Sequence, residues 1–220
     1  MITVRDVYFS YTNSKPYTLS GIGLYISRGE YVSVVGDNGS GKTTLMRLIL
    51  KLLKPTSGSV ETSAERVGYV PQRGDYKNRD FPLTVGEMLK SYSKIVGENP
   101  KVSVPEVLER TGLTGFDKAL TGELSGGESQ KARIARALIG SPELLIFDEP
   151  STGIDFVSGE AIYALLRSLN RENGITVVSV EHNLKAAMEN STHIYHLAGG
   201  HGHICTPRQY ANEFLGAGNA

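Results

Sequence analysis

Cysteine is almost absent from this chain: Cys205 is the only one in 220 residues. A single thiol excludes an internal disulfide and suits a reducing compartment. An excess of either charge is missing too. Lys+Arg and Asp+Glu both number 23, so the formal net charge is zero. Nucleic-acid binders usually carry a marked basic surplus, and no nucleic-acid partner is expected here. No apolar run reaches membrane-spanning length; stretches such as LLIF at 144–147 are strand-sized. The opening MITVRDVYFSY shows no basic segment followed by an apolar one, which predicts that no secretory leader is present. Internal repeats and low-complexity tracts are also lacking. The expectation is a cytoplasmic protein, held at a membrane only through a partner.

What is present reads as one large domain, or a domain with a subdomain, long enough for a real core. ITVRDVYFSY, LSGIGLYIS and YVSVVG (31–36) read as strands. KTTLMRLILKLL has helical spacing at Leu45, Leu48, Ile49 and Leu52. KPTSGSV reads as a turn, and RVGYV (66–70) as a short strand. From 76 to 138 the pattern is helical, broken at GENP and TGLTG. Strands return at 143–149 and 175–180, with a helix, VSGEAIYALLRSLNREN, between them. Such alternation predicts a mostly parallel sheet covered by helices. The block near 76–140 interrupts it and is expected to be an inserted helical subdomain.

GDNGSGKTT at 36–44 matches G-x-x-x-x-G-K-[ST] through Gly36, Gly41, Lys42 and Thr43. A chance match in this length is roughly a one-in-a-hundred event, and the required strand before and helix after are both predicted. The loop backbone of Gly36, Asp37, Asn38, Gly39, Ser40 and Gly41 would wrap phosphates. Lys42 would reach the β- and γ-phosphates, and the hydroxyl of Thr43, next to Thr44, would hold Mg²⁺. LLIFDEP ends a buried strand in two carboxylates. Asp148 is placed to hold Mg²⁺ and Glu149 to polarise an attacking water. Alone, such a pair more often caps a helix or lies in a turn; beside the glycine loop it points to catalysis. Gln72, after YVP, and His182, after VVSVE, stand at strand ends where a γ-phosphate can be met. LSGGESQKARIARAL at 124–138 puts Gly126 and Gly127 at a second helix start, and helix starts attract anions.

GDNGSGKTT, YVPQ, LSGGE, LLIFDEP, STGID and VEHN, in that order over nearly the whole chain, resemble the ATPase subunit of an ATP-binding cassette transporter. LSGG before a helix together with FDEP separates this family from other P-loop enzymes such as small-molecule kinases. The resemblance implies an α/β fold. A P-loop NTPase (RecA-like) core with a mostly parallel sheet would occupy 1–75 and 141–220. An N-terminal antiparallel β subdomain and a helical subdomain at 76–140 would complete it. It also implies a head-to-tail homodimer with ATP. There Leu124, Ser125, Gly126, Gly127 and Glu128 of one chain complete the site on the other chain's glycine loop, which supplies the lysine. Tyr11 would stack on adenine, with Tyr8 as the nearby competitor. Gln72 would sense γ-phosphate and Mg²⁺, His182 would contact the γ-phosphate, and Asp155 the facing subunit. Implied partners are an integral-membrane permease and, indirectly, an extracytoplasmic solute-binding protein. The chain would sit on the inner face of the cell membrane through that permease.

Three positions depart from the family pattern. Glu128 stands where glutamine is commoner, Thr152-Gly153-Ile154 replace Ala-Leu combinations, and Glu181 replaces a hydroxyl residue before His182. None removes a catalytic group. KALTGELSGG lacks the acidic-glycine segment of exporter domains, which favours an importer. YVPQRGDYKNRDFPLTVGEML and GHIC resemble the zinc- and manganese-type metal importers. Importers of other small solutes and soluble, non-transport cassette ATPases remain alternatives. The segment 73–89, with Phe81 and Leu83 as apolar contacts, is expected to receive a permease helix. Four of the five histidines fall within 193–205, where His201, His203 and Cys205 alternate. A zinc site on one strand face is one reading of them, and a structural β-hairpin around AGGHG is the favoured one.

Overall fold

A computed structural model of the chain describes residues 1–72 and 82–215. The segment 73–81, with Phe81, lies outside the described residues. In chain order the elements are β1 (Ile2–Phe9), β2 (Leu19–Ile26), β3 (Tyr31–Val35), α1 (Lys42–Ile49), β4 (Ser57–Thr62) and β5 (Val67–Val70). There follow α2 (Val85–Ile95), α3 (Pro100–Arg110), α4 (Gly126–Leu138), β6 (Leu144–Asp148), α5 (Phe156–Arg171) and β7 (Thr176–Val180). The chain continues through α6 (Leu184–Asn190), β8 (His193–Ala198), β9 (His201–Cys205) and α7 (Pro207–Tyr210) to a π-helical turn at Ala211–Leu215. Among the described residues no helix is long and apolar enough to cross a membrane.

The chain divides into two compact units, Met1–Ala64 with Asn170–Ala220, and Glu65–Leu169. In the first, β1 lies between β2 and β4, antiparallel to both. β3 lies between β7 and β8, parallel to both, and β9 returns antiparallel on β8. All five residues of β3 and of β7 are buried. Continuous apolar runs suit parallel strands covered on both faces. A core of Val35, Ala187, Ile194, Cys205 and Tyr210 joins β3 and the β8–β9 hairpin to α6 and α7. The hairpin around AGGHG is therefore formed.

In the second unit β5 pairs parallel with β6, with Val67 opposite Leu144. α4 packs on β5 and, with α2 and α3, makes a three-helix group. Gly68 brings strand and helix together: a Cβ there would meet the Ala137 carbonyl oxygen at 2.5 Å. Each of these helices starts on a side-chain acceptor, Thr84 for α2, Asn99 for α3 and Ser125 for α4.

Several elements differ from the sequence reading. The KPTSGSV turn runs into β4, whose backbone pairs with β1 from Ile2 opposite Thr62 to Tyr8 opposite Ser57. Val60 is the only apolar side chain of that edge strand, whose other residues are serine, glycine, glutamate and threonine, so it carries almost no apolar alternation. α1 stops at Ile49 rather than running on through KLL, because Lys51 turns to φ 58° and the Leu52 and Leu53 amides fold back on the Arg47 carbonyl. α6 and α7, at seven and four residues, are too short to show a helical period.

Candidate active site

Residues singled out in the sequence fall in both units. In the first unit, β3 ends at Val35 and the chain enters the glycine loop. Gly36, Gly39 and Gly41 all take positive φ, at 150°, 80° and 102°. A Cβ at Gly36 would run into the Leu197 carbonyl oxygen of β8, and one at Gly41 would stand 2.7 Å from the Leu19 side chain of β2. Glycine is thus required by space as well as by φ. The loop delivers the chain into α1, whose N-cap Gly41 supplies no side-chain hydrogen bond. The other α-helices all have one. Besides the caps above, Asp155 accepts from the Ser158 amide at the start of α5, and Asn183 and Thr206 cap α6 and α7. Among the described α-helices α1 alone presents its first amides without a side-chain acceptor, and such a start is an anion seat.

Side chains around that seat agree. The Lys42 ammonium is buried and donates to the Gly36 and Asp37 carbonyls at 2.8 and 2.9 Å, which arches it over the loop. The Ser40 hydroxyl is buried with no partner among the described residues. Asp37 and Asn38 are exposed, and Thr43, in the first turn of α1, is half-buried. The Tyr11 hydroxyl is 3.1 Å from the Thr44 hydroxyl, its ring packs edge-on against Phe9, and the residue is 60% exposed. Tyr8 is half-buried and packs against Tyr17. Exposed His182 stands two residues beyond the end of β7, after Glu181, and Asn183 caps the next helix.

In the second unit, β5 and β6 end side by side and bring two distant segments together. The Gln72 side-chain amide donates to Glu149 Oε2 at 2.7 Å. The Thr152 hydroxyl donates to the same oxygen at 2.9 Å. Glu149 takes φ 57°, an uncommon value for a residue with a Cβ. Asp148, one residue earlier, is 3% exposed at the end of a strand buried throughout. A buried carboxylate and the Gln72 amide oxygen are hard oxygen groups of the kind a magnesium ion takes; in the first unit the Thr43 hydroxyl is a group of the same kind.

The second glycine pair also differs from its sequence reading. Its helix start is not bare. Ser125 Oγ accepts from the Glu128 amide at 3.3 Å, and Glu128 Oε2 accepts from the Ser125 amide at 2.8 Å. The Ser125 hydroxyl, then its amide, hold the Glu128 carboxyl below its ordinary 4.5. The S-x-x-E pattern announces such a capping box, yet the sequence reading took Glu128 only as a residue of the facing site and a departure from the commoner glutamine. Leu124 is half-buried ahead of the cap. Gly127 backs onto α5, where a Cβ would stand 2.7 Å from Ser158 Cβ and Oγ. The LSGGE turn at 124–128, the signature of the second helix start, and the Asp155 turn are therefore held as neighbours. The Ser158 amide, then its hydroxyl, hold the Asp155 carboxyl below its ordinary value.

Comparison with known proteins follows the same lines. Residues 19–152 match the sequence model of a family described as ABC transporter. A probable metal transport system ATP-binding protein of Treponema pallidum is 51% identical over 214 residues, which is 97% of this chain and 90% of the relative. The zinc uptake system ATP-binding protein ZurA of Listeria monocytogenes is 35% identical over 213 residues, or 90% of this chain and 81% of that one. Among solved structures, the dimeric, post-hydrolysis cassette MJ0796 bound to ADP and Pi superposes with a TM-score of 0.77. Its identity is 29%, covering 94% of this chain and 99% of that one. An inward-facing putative metal-chelate type ABC transporter superposes at 0.84 with 24% identity, over 94% of this chain and 84% of that one.

Proposed function

The chain belongs to the ABC transporter family, and from that premise we propose that it is the ATP-hydrolysing subunit of an importer for a transition-metal ion, zinc or manganese. The observation that carries the nucleotide half of this reading is the start of α1, the one α-helix among the described residues without a side-chain cap, with Lys42 arched over its loop. The metal half is supported by the relatives, named for metal and zinc transport.

In this reading the loop from Gly36 to Thr44 binds the triphosphate. Backbone amides and Lys42 meet its charge, and the ring of Tyr11 covers the adenine. Glu149 accepts a proton from the attacking water, while Gln72 fixes its carboxylate. His182 donates to the γ-phosphate. Thr43, Gln72 and Asp148 would hold Mg²⁺, which when bound neutralises charge between the β- and γ-phosphates. Leu124 to Glu128 of a second copy close the site, and Asp155 meets that copy. Closure depends on γ-phosphate and is undone by hydrolysis, so ATP turnover drives a two-state cycle. The helical subdomain at 76–140 and the segment 73–89 pass the motion to a permease. The permease holds the chain at the inner face of the membrane and receives metal from an extracytoplasmic binding protein.

Two measurements test the reading. Purified protein should hydrolyse ATP with a requirement for Mg²⁺, and Lys42→Ala should abolish nucleotide binding. Cells lacking the chain should accumulate less zinc or manganese, measured by elemental analysis, and recover on re-expression. Unchanged metal content alongside intact ATPase activity would leave the enzyme standing and remove the metal cargo.

A further inference from the structure

β3 and β7 read YVSVV and TVVSV, and each spends one position of an otherwise apolar buried strand on serine. The two serines are opposite each other in register, Ser33 beside Ser179. Both are buried to 1% exposure or less. They belong to a longer row. The Ser191 hydroxyl, just ahead of β8, donates to Ser33 Oγ at 2.5 Å. Ser33 and Ser179 Oγ are 3.4 Å apart. The Ser179 hydroxyl donates to Glu181 Oε1 at 2.9 Å. A hydroxyl has one proton, so with Ser179 donating to the carboxylate, Ser33 must donate to Ser179. All three dipoles then point toward Glu181, an arrangement in which each bond strengthens the next.

Glu181 is 3% exposed, and a buried carboxylate persists only where donors are supplied to it. It is also the residue that replaces a hydroxyl ahead of His182. Its backbone amide donates to the Val34 carbonyl at 3.0 Å, two residues before Gly36. Side chain and backbone of Glu181 thus tie the end of β7 to the strand that enters the nucleotide loop. The row also reaches the segment leading into β8, whose Leu197 carbonyl abuts Gly36.

We infer that Glu181 is a positioning residue for ATP hydrolysis: through Ser179, Ser33 and Ser191 it fixes the height at which His182 stands over the nucleotide loop. The inference rests on the role given to His182 above. Glu181 touches no reacting atom in this account. Its loss should let the β7 end shift and misplace His182, which acts on turnover rather than on nucleotide affinity.

The experiment is steady-state ATP hydrolysis by the purified full-length chain, with kcat and KM separated. The variants are Glu181→Ala, Glu181→Gln, Ser179→Ala, His182→Ala and Glu181→Ala in the His182→Ala background. Glu181→Ala and Ser179→Ala should lower kcat by about 10- to 100-fold with little change in KM, the size of a misplaced catalytic group. Glu181→Gln keeps the accepting oxygen and should recover kcat to within about threefold of the parent. On top of His182→Ala, Glu181→Ala should cost nothing more, because both act through one group. Full-sized loss in that background would mean a general structural role and overturn the inference. So would parent-like kcat in the two single variants. Ser179→Ala, which removes a single oxygen, keeps the test open if Glu181→Ala does not fold. Loss with His182→Ala but not with Glu181→Ala or Ser179→Ala removes only the positioning role. Parent-like kcat in His182→Ala removes the assignment of His182 itself, and the inference with it.

Discussion

Gln72 donates to Glu149 at 2.7 Å across 77 positions of sequence. The bond gives the proposed base and the proposed γ-phosphate sensor a shared geometry. With its amide nitrogen committed to Glu149, Gln72 has its carbonyl oxygen for a cation. Glu149→Gln removes the base yet keeps a partner for Gln72. We expect it to retain ATP binding, to lower hydrolysis by about 100-fold or more and to accumulate an ATP-bound dimer on size exclusion. Near-parental turnover would end the assignment of Glu149. Gln72→Ala should cost less turnover than Glu149→Gln, because the base remains and only its orientation is loosened.

The proposed composite sites give a mixing experiment. Lys42→Ala spoils a site through its loop, and Gly126→Asp spoils a site through its signature. In a heterodimer of the two, both defects fall in one site and the other is intact. Mixed chains should therefore dimerise with ATP, in a Glu149→Gln background, where neither homodimer does. Parent-like closure by Gly126→Asp homodimers would show that the signature does not act across the interface.

Glu128 gives a prediction in pH. Its folded carboxyl lies below the ordinary 4.5 because of the bonds to Ser125. The cap is therefore fully present above that value and is lost as pH falls through the lowered folded one. The caps made by Glu87, through the Thr84 amide first, and by Asp155 follow the same sign. Amide-exchange protection at the first turn of α4 should fall on acidification in the parent. Glu128→Gln, which can cap without titrating, should show a flat profile there. At neutral pH the same change removes a negative charge from the turn proposed to close the second copy's nucleotide site. It should lower the ATP concentration needed for dimerisation by about two- to fivefold. A higher requirement would show that the carboxylate aids binding.

Tyr11 and Tyr8 are separated by burial. Tyr11, exposed beside the loop, should act on nucleotide: Tyr11→Ala is expected to raise KM for ATP by about fivefold or more, the scale of base stacking on an aromatic ring, with kcat retained. Tyr8, half-buried against Tyr17, should instead lower the melting temperature when replaced by alanine. Equal KM for both variants would remove the stacking role from Tyr11.

Legibility of the fold followed signal strength. YVSVV, LLIFD and TVVSV are unbroken buried runs and read directly as strands. β4 and α6 did not read, since one is a Ser/Thr/Gly edge held by backbone pairing and the other is barely two turns. Motif residues could be named one by one because the chemistry proposed for them is local. Their relations were not. The Gln72–Glu149 bond and the Ser191–Ser33–Ser179–Glu181 row join residues brought together only by strand register. Glu181 looked like a lone departure from a pattern until Ser33 and Ser179 were seen opposite one another.

The histidines near the C-terminus give the last prediction. On β9, His201 and His203 are exposed, whereas Cys205 is buried with its thiol donating to the Ile194 carbonyl at 3.7 Å. Burial, then Glu213, push that thiol above its ordinary value, which disfavours the thiolate that zinc binds. His203 is in register with His196, and their rings meet edge-on at 5.6 Å under the ring of Phe214. Among the described residues no three His, Cys, Asp or Glu side chains are grouped to hold a metal ion. His196 is held below its ordinary value by burial first and by His203 second, against a pull upward from Asp37, so its ring packs in the neutral form at neutral pH. Calorimetry of the purified chain with Zn²⁺ should accordingly give only weak binding. His203→Ala should lose some packing against Phe214 and keep parental ATP hydrolysis, because His203 touches no residue assigned to the nucleotide. A tight, stoichiometric zinc site that disappears in His203→Ala would show instead that the hairpin is a metal-binding element.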